Sequence, residues 1–279
     1  MNKLPRSTAN GMADKLREEL ADIATKARGL NFTTHDRRIL QRDIGLVADH
    51  LNTFLSELDP VKGPKTVFDP GNPRTIGFFI AMALTAQSRQ SLSQLGKLYG
   101  SGVYAIYYNG SFELYAPLRG TETPIYVGQA APSIDHAQTA VEQGARLAAR
   151  LDEHRNNIKR ASVTLDIADF DYRSLVVQTG WETGAEDYLI RLFRPIWNRE
   201  TNLVFGLGKH GDSSKTRRNK RSPWDTLHEG RAWAIDEEIA DAKSPAKIAK
   251  ELIAHFAAVP PFPSCKDVFE AFIASLNQT

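Results

Sequence analysis

GVYAIYY at 102–108 and PIYVG at 124–128 are the two stretches that decide the fold. The first is almost wholly β-branched and aromatic, which suits a pleated, half-buried surface, so it reads as a strand. Asn109-Gly110 follows as a turn signal, and Phe112–Tyr115 is expected to return as a short strand. Pro124–Gly128 reads as a further strand, so the segment predicts a hairpin. Working outward, Gln138–Arg160 has helical periodicity, with Val141, Ala145, Ala148, Leu151 and Ile158 expected on one inward stripe. Phe170–Val177 is a third strand and Trp181–Phe193 a helix. Pro195 ends that helix, because it disfavours helical backbone at Arg194. The order β-β-α-β-α over 100–200 predicts an α+β core with a small antiparallel three-stranded sheet flanked by helices.

The flanks have a different character. Residues 1–99 read as a helical N-terminal extension. Apolar residues recur at three- and four-residue intervals in Ala13–Leu30 and Arg37–Leu58. LDPVKGPKTVFDPGNPR (59–74) is a Pro/Gly-rich loop, followed by a helix at Thr75–Thr85 and a short one at Leu92–Leu98. Residues 201–234 form a Gly-, Ser- and Arg-rich segment ending in SPWDTLHEGRAWA. Residues 235–279 read as a helical C-terminal extension, broken by VPPFPS at 259–264.

Bulk composition narrows the class. With 279 residues, 42% hydrophobic and 24% charged, the chain can bury a sizeable core. A single cysteine, Cys265, excludes an intramolecular disulfide framework and a zinc site built on several thiolates. The N-terminus MNKLPRSTANGMADKLREEL has no apolar signal-peptide core. The longest apolar run, near Ile76–Leu84, falls short of the ~18 residues a membrane span needs. A cytoplasmic protein is expected. The net charge of +2 decides nothing about nucleic acid, but its distribution does. Lys209, Lys215, Arg217, Arg218, Lys220 and Arg221 are opposed in that stretch by Asp212 alone.

Phosphodiester hydrolysis needs a group to deprotonate water, cations for the charge on phosphorus, and a metal or acid for the leaving oxygen. Magnesium takes oxygen ligands and keeps several waters, so one carboxylate can hold it. The core offers tyrosines on its strands, Arg150 and His154 four residues apart on one helix face, Glu186 on the next helix, and Asn198 in RPIWN. Residue type alone leaves competitors. Tyr107 and Tyr108 rival Tyr104, Arg146 and Arg155 rival Arg150, and Glu182 and Asp187 rival Glu186. Asn198 alone reads equally as the end of a turn. Asp135, His136 and Glu142 lack a ligand set and read as solvated.

Taken together, the core resembles a GIY-YIG nuclease domain. GVY stands where that family has GIY, and YVG where it has YIG. Arg150 and His154 match its R-x-x-x-(H/Y) element, Glu186 its lone glutamate, and Asn198, twelve residues later, its terminal asparagine. The resemblance implies roles. Tyr104 would be the general base and His154 its neutral partner. Arg150 would hold a non-bridging phosphate oxygen, and Tyr126 would hydrogen-bond the scissile phosphate. Glu186 would ligate Mg²⁺, with Mn²⁺ as a substitute. Asn198 would position Glu186 or the neighbouring backbone.

A narrower resemblance covers roughly residues 59–234. FDPGNPRTIGFFIAMAL (68–84), GSGVYAIYY (100–108) and KH…RR…SPWDTLHEGRAWA (209–234) are similar to the GIY-YIG type II restriction endonucleases of SacII-like specificity. This implies cleavage of double-stranded DNA at CCGCGG, a homodimer or higher homo-oligomer, and a DNA methyltransferase in the same system. A palindrome is most simply read by a two-fold symmetric protein. Arginine and lysine can donate to guanine O6 and N7, so the basic segment 205–221 is the expected reader. Its candidate DNA contacts are Lys209, His210, Lys215, Arg217, Arg218, Lys220 and Arg221, then His228 and Arg231 beyond it. Trp224 and Trp233 read as structural, so WDTLHEGRAW is expected to clamp the segment to the core. Two other readings compete: a repair or recombination nuclease that recognises DNA shape, and a DNA-binding module with an inactive nuclease fold. The intact set of six residues argues against the second.

Overall fold

All seven residues of strand β2 (Gly102–Tyr108) are buried, which explains why its sequence is apolar on both faces rather than alternating. With β4 it is one of the two inner strands of a four-stranded antiparallel sheet, in the order β1-β4-β2-β3. The others are β1 (Gln90–Ser91), β3 (Tyr126–Ala130) and β4 (Phe170–Val176). The computed structural model describes residues 6–30, 32–58, 71–208, 220–234 and 239–276. The chain divides into two compact units, Met1–Val67 and Phe68–Thr279, so the expected 1–99 extension spans the boundary. In the first unit lie helices α1 (Arg6–Arg28) and α2 (Thr34–Leu58).

The second unit buries the sheet on both faces. Tyr104, Ile106 and Tyr108 point into one core with Leu147, Leu151 and Ile158 of helix α5 (Arg146–Arg160), and with Trp197 and Trp224. Ile248 and Leu252 of a later helix (Pro245–Ala258) join that core. Val103, Ala105 and Tyr107 point the other way, as a period of two requires. They meet Phe78, Ala81 and Leu84 of α3 (Pro73–Thr85), Ala185, Leu189 and Phe193 of α6 (Glu182–Phe193), and Val268 and Phe272 of the last helix (Cys265–Leu276).

The sequence reading differs from the structure at four places. The sheet has a fourth strand, because Gln90 and Ser91 pair with Tyr172 and Asp171. Two residues are too few to show any alternation. Phe112–Tyr115 does not return as a strand, since Glu113–Leu118 is a 3₁₀ turn containing Pro117. Tyr115 and Leu118, three apart, both reach the core that way, and Pro117 could not donate to a ladder. The helix expected over 138–160 breaks at Gly144 (φ 76°) into α4 (Ala140–Gln143) and α5. Gln143 ends the first piece by accepting Ser101 N–H at 3.0 Å and donating to Val177 O at 2.8 Å. Val141 is therefore exposed, and Leu147, Leu151, His154 and Ile158 make the inward stripe. The helix expected over Leu92–Leu98 is only a 3₁₀ turn at Leu92–Gln94.

Candidate active site

Tyr104 sits in β2 opposite Gly128 of β3, and the pairing explains both glycines of the GVY and YVG motifs. A Cβ on Gly128 would lie 2.5 Å from the Tyr104 hydroxyl and 2.9 Å from the Tyr126 ring, so only glycine leaves room for the tyrosine pair. Gly102 has φ 151°, and a Cβ there would lie 2.1 Å from Leu175 O of β4. The two motif glycines thus let the central strand close on both neighbours while Tyr104 lies across β3.

Tyr104 is fully buried and its hydroxyl lies 2.8 Å from His154 Nε2. The ring of Tyr126 is 6.1 Å from that of Tyr104 and 4.8 Å from that of His154. Helical spacing brings Arg150 to the same point one turn before His154, and its guanidinium interacts with Tyr104. Arg150 is also paired with Glu153, three residues on. Burial, then the Arg150 charge, pushes His154 down to about 3, so its imidazole is neutral. Its Nδ1 is buried without a hydrogen-bond partner. Burial, then Tyr126, holds Tyr104 well above the ordinary tyrosine range, while Arg150 opposes the shift. Tyr126 is pushed up to about 12, chiefly by burial and by the charge of Glu186.

Glu186 lies on α6, which packs Ala185 and Leu189 under the sheet. Its carboxylate meets Gln129, the residue after YVG, which points to the α6 side and also contacts Thr183 Oγ1 at 3.2 Å. Burial raises Glu186 to about 7, with Glu200 and Asp187 adding repulsion and Gln129 opposing it through side-chain and backbone hydrogen bonds. Among the described residues no three His, Cys, Asp or Glu side chains group as a metal-ligand set. A cation needing many protein ligands does not fit. One that keeps its waters and takes one or two carboxylates does, and its charge would reverse the raised affinity of Glu186 for a proton.

Asn198 does not touch Glu186. It forms a two-way bond with the backbone of Val127, accepting from its N–H at 2.9 Å and donating to its C=O at 2.8 Å. β3 is an edge strand, and Trp197 N–H covers the neighbouring Ile125 O at 3.0 Å. RPIWN therefore seals the open edge that carries Tyr126. Of the two expected roles, backbone positioning is the one the geometry shows.

The competing residues are engaged elsewhere. Tyr107 is on the opposite face, between the guanidinium groups of Arg89 and Arg173, 3.9 and 5.0 Å from its ring centre. Tyr108 accepts the Phe112 N–H at 2.7 Å. Arg146 donates to Ala131 O, and Arg155 pairs with Asp152. Glu182 is buried at the start of α6 and accepts from Ser101 Oγ, while Asp187 pairs with Arg191 along the helix.

Of the candidate DNA contacts, Lys209, His210, Lys215, Arg217 and Arg218 lie outside the described residues. Lys220 is exposed, and Arg221 is half-buried beside Asp241. His228 and Arg231 are interior residues, not surface contacts. His228 is fully buried between Tyr115 Oη at 2.6 Å and Thr164 Oγ1 at 2.8 Å. Arg231, 2% exposed, pairs with Asp225 and donates to Leu207 O at 3.0 Å and Gly206 O at 2.8 Å. Its guanidinium also lies over the buried Trp224 ring. Arg231 therefore ties the SPWDTLHEGRAWA stretch to residues 206 and 207. Asp225 belongs to the short helix α7 (Pro223–Leu227), capped by Ser222. Arg231 thereby ties both flanks of 209–219 together, and Asn157 of α5 adds a third tie, to Leu207 O at 3.0 Å.

Gln129, Glu153 and Glu200 escaped the sequence reading. Glu153 was within reach of it, since i,i+3 pairing with Arg150 follows from helix geometry. Gln129 and Glu200 depend on how α6 and the 199–201 turn fold back on β3.

A tyrosine pair on adjacent antiparallel strands, an Arg/His helix face across them and a lone glutamate at the strand edge define a GIY-YIG nuclease module. Residues 96–256, more than half of the chain, match the family model described as the Eco29kI GIY-YIG domain, and the chain belongs to that restriction-endonuclease family. It carries a nuclease domain. No curated protein matches the chain. Among the described residues no helix is long and apolar enough to cross a membrane.

Proposed function

We propose that the protein is a type II restriction endonuclease that hydrolyses double-stranded DNA at a G/C-rich palindrome, CCGCGG, with Mg²⁺. The observation that carries the chemistry is the 2.8 Å hydrogen bond between Tyr104 and a neutral, buried His154. A tyrosine held above its ordinary range does not work as a free phenolate at neutral pH. It works as a relay. Water attacking phosphorus gives its proton to Tyr104 Oη as the Tyr104 proton passes to His154 Nε2, whose basicity the negative charge of the bound phosphate, drawing Arg150 away, would raise above that of the free protein; the phenol stays neutral throughout. Arg150, turning from Glu153, donates its guanidinium fork to a non-bridging phosphate oxygen. Tyr126 hydrogen-bonds the same phosphate.

Glu186 would hold the metal, and the Glu200 charge that Glu186 feels would add to the attraction for a cation. When bound, Mg²⁺ or Mn²⁺ supplies charge stabilisation at the leaving 3′ oxygen. Gln129 fixes the Glu186 carboxylate by its side chain and its backbone N–H. The basic segment 205–221, held at its base by Arg231, is the proposed DNA reader. Two copies of the chain would meet the two halves of the palindrome, and a methyltransferase would protect the host's own sites.

The test is digestion of a plasmid containing one CCGCGG site, in Mg²⁺ without ATP. A single discrete linear product is expected. Absence of discrete cleavage, or preference for branched over linear duplex, would replace this reading with a shape-recognising nuclease. Tight metal-independent binding without hydrolysis would replace it with a binding module.

A further inference from the structure

Both helices of the first unit present an apolar stripe to solvent. In α2 the stripe is Leu40, Ile44, Val47, Leu51, Phe54 and Leu58, whose spacings alternate four and three along the whole helix. In α1 it is Leu16, Leu20, Ile23 and Ala27, continued by Leu30 just past the helix end, with the same alternation. Sustained 3–4 alternation is the spacing of a helix that packs lengthwise against other helices. Yet Ile44, Val47 and Phe54 are each more than half exposed, as is Ile23, so the two stripes do not bury one another within the chain. The intrahelical ion pairs Arg17–Asp14 and Lys26–Asp22 lie off the α1 stripe and leave it free of charge.

We propose that a second copy of this chain covers these stripes, so that α1 and α2 of two protomers form one four-helix bundle. Three observations favour that occupant. The first is width. Leu55 borders the α2 stripe on one side and Ile39 and Leu46 on the other, all exposed. A two-stranded seam uses only the two inner positions, whereas a bundle helix needs this broader face. The second is length. With 23 and 25 residues the helices run roughly 35 Å each, so two from each copy match end to end. The third is area. Twelve large apolar side chains between Met12 and Leu58 are exposed by 38–69%. At on the order of 100 Å² each when fully exposed, they offer roughly 600 Å² per chain. That approaches the ~800 Å² per partner of a stable interface. The surface assigned here lies outside the matched module and deepens the two-copy reading proposed above, on which it rests; the stripe variants test where two copies meet, apart from whether the module cleaves DNA.

Sedimentation equilibrium of the full chain is the test. The wild type is expected to be a dimer at micromolar concentration. The triple variant Ile23→Glu, Val47→Glu, Phe54→Glu places charge on the stripes while keeping good helix propensity. It is expected to raise the dimer dissociation constant at least about a hundredfold. Thr25→Glu with Ser56→Glu, on the opposite faces, should leave it unchanged. If the triple variant loses its helical circular dichroism, the milder pair Ile23→Ala, Val47→Ala is used, with about a tenfold rise expected. A wild-type chain that stays monomeric at tens of micromolar overturns the proposal. So does a dissociation constant that the stripe variants leave unmoved, because the copies would then pair elsewhere.

Discussion

Asn198 accepts the Val127 N–H on Oδ1 at 2.9 Å and returns an Nδ2 hydrogen to Val127 O at 2.8 Å. The side-chain amide thus takes the place of a neighbouring strand's peptide along the outer edge of β3. Tyr126 and Gly128 flank Val127, so the edge bond sets the height of the tyrosine pair over His154.

Asn198→Ala is therefore expected to act on stability first. It leaves a buried N–H and a buried C=O without partners, at about 1–3 kcal/mol each. Urea unfolding should show a loss of about 2–6 kcal/mol, with the residual cleavage rate down about a hundredfold from misplacement of Tyr126. An unchanged unfolding midpoint would show that the edge bond contributes nothing.

Tyr104→Phe removes the hydroxyl and keeps the ring packing. Cleavage should fall about 10²–10⁴-fold while DNA binding in Ca²⁺ and the unfolding midpoint stay near wild type. His154→Ala should lose a similar factor in rate. The double variant should be scarcely worse than either single one, because both residues serve one proton path. Additive losses in single-turnover assays would separate the two residues and sink the relay.

These outcomes also show where the sequence was legible. Strand β2 and helix α6 could be placed from composition and period, and the six candidate residues were singled out by the family resemblance, because strands, helices and motifs depend on neighbours close in sequence. Pairings across long chain separations could not. The Asn198 bond to Val127 depends on RPIWN returning along the edge of β3, and the Gln129 contact with Glu186 on α6 crossing beneath it. His228 looked like a surface candidate from its basic surroundings, but Tyr115 and Thr164, far apart in sequence, enclose it. The 112–115 stretch misled for a local reason. An aromatic, apolar run suits a 3₁₀ turn with an i,i+3 inward pair as well as it suits a strand.

Metal activation should depend on pH through Glu186. Its carboxyl is raised to about 7 in the metal-free protein, first by burial and then by Glu200 and Asp187. Protons and metal compete for it, so below about 7 the apparent Mg²⁺ affinity should fall by roughly tenfold per pH unit, and above it level off. Mg²⁺ titrations of cleavage rate from pH 6 to 8 read this directly. Glu200→Gln should shift the break to lower pH, because it removes a repelling charge. A pH-independent Mg²⁺ requirement would argue that Glu186 is not the ligand.

Acid should destabilise the second unit before most carboxylates titrate. His154 and His228 are both pushed down to about 3, chiefly by burial, with Arg150 and Arg231 adding to the shift. Both are depressed below the unfolded value near ~6.5, so the unfolded chain binds protons that the folded chain refuses. Their contribution is complete above about 6.5 and is lost as pH falls toward 3. At pH 5 each should weaken folding by about 2 kcal/mol relative to pH 7. Thermal melts at the two pH values measure the sum, and His228→Gln should remove about half of the difference.

Arg231→Lys tests whether the clamp governs recognition. A guanidinium serves Asp225, Leu207 O and Gly206 O at once, and one ammonium cannot reproduce that planar fork. Arg231→Ala goes further and strands a buried aspartate, a change of about 3–5 kcal/mol. Lysine keeps the charge beside Asp225, so the chain should still fold with a smaller loss. Its free energy is then lost mostly from the ties to residues 206 and 207, which precede the basic residues in sequence. Cleavage at the specific site should drop more than cleavage at sites with one base changed, narrowing the ratio between them. Equal losses at both kinds of site would mean that Arg231 supports the fold without setting how the segment meets the bases.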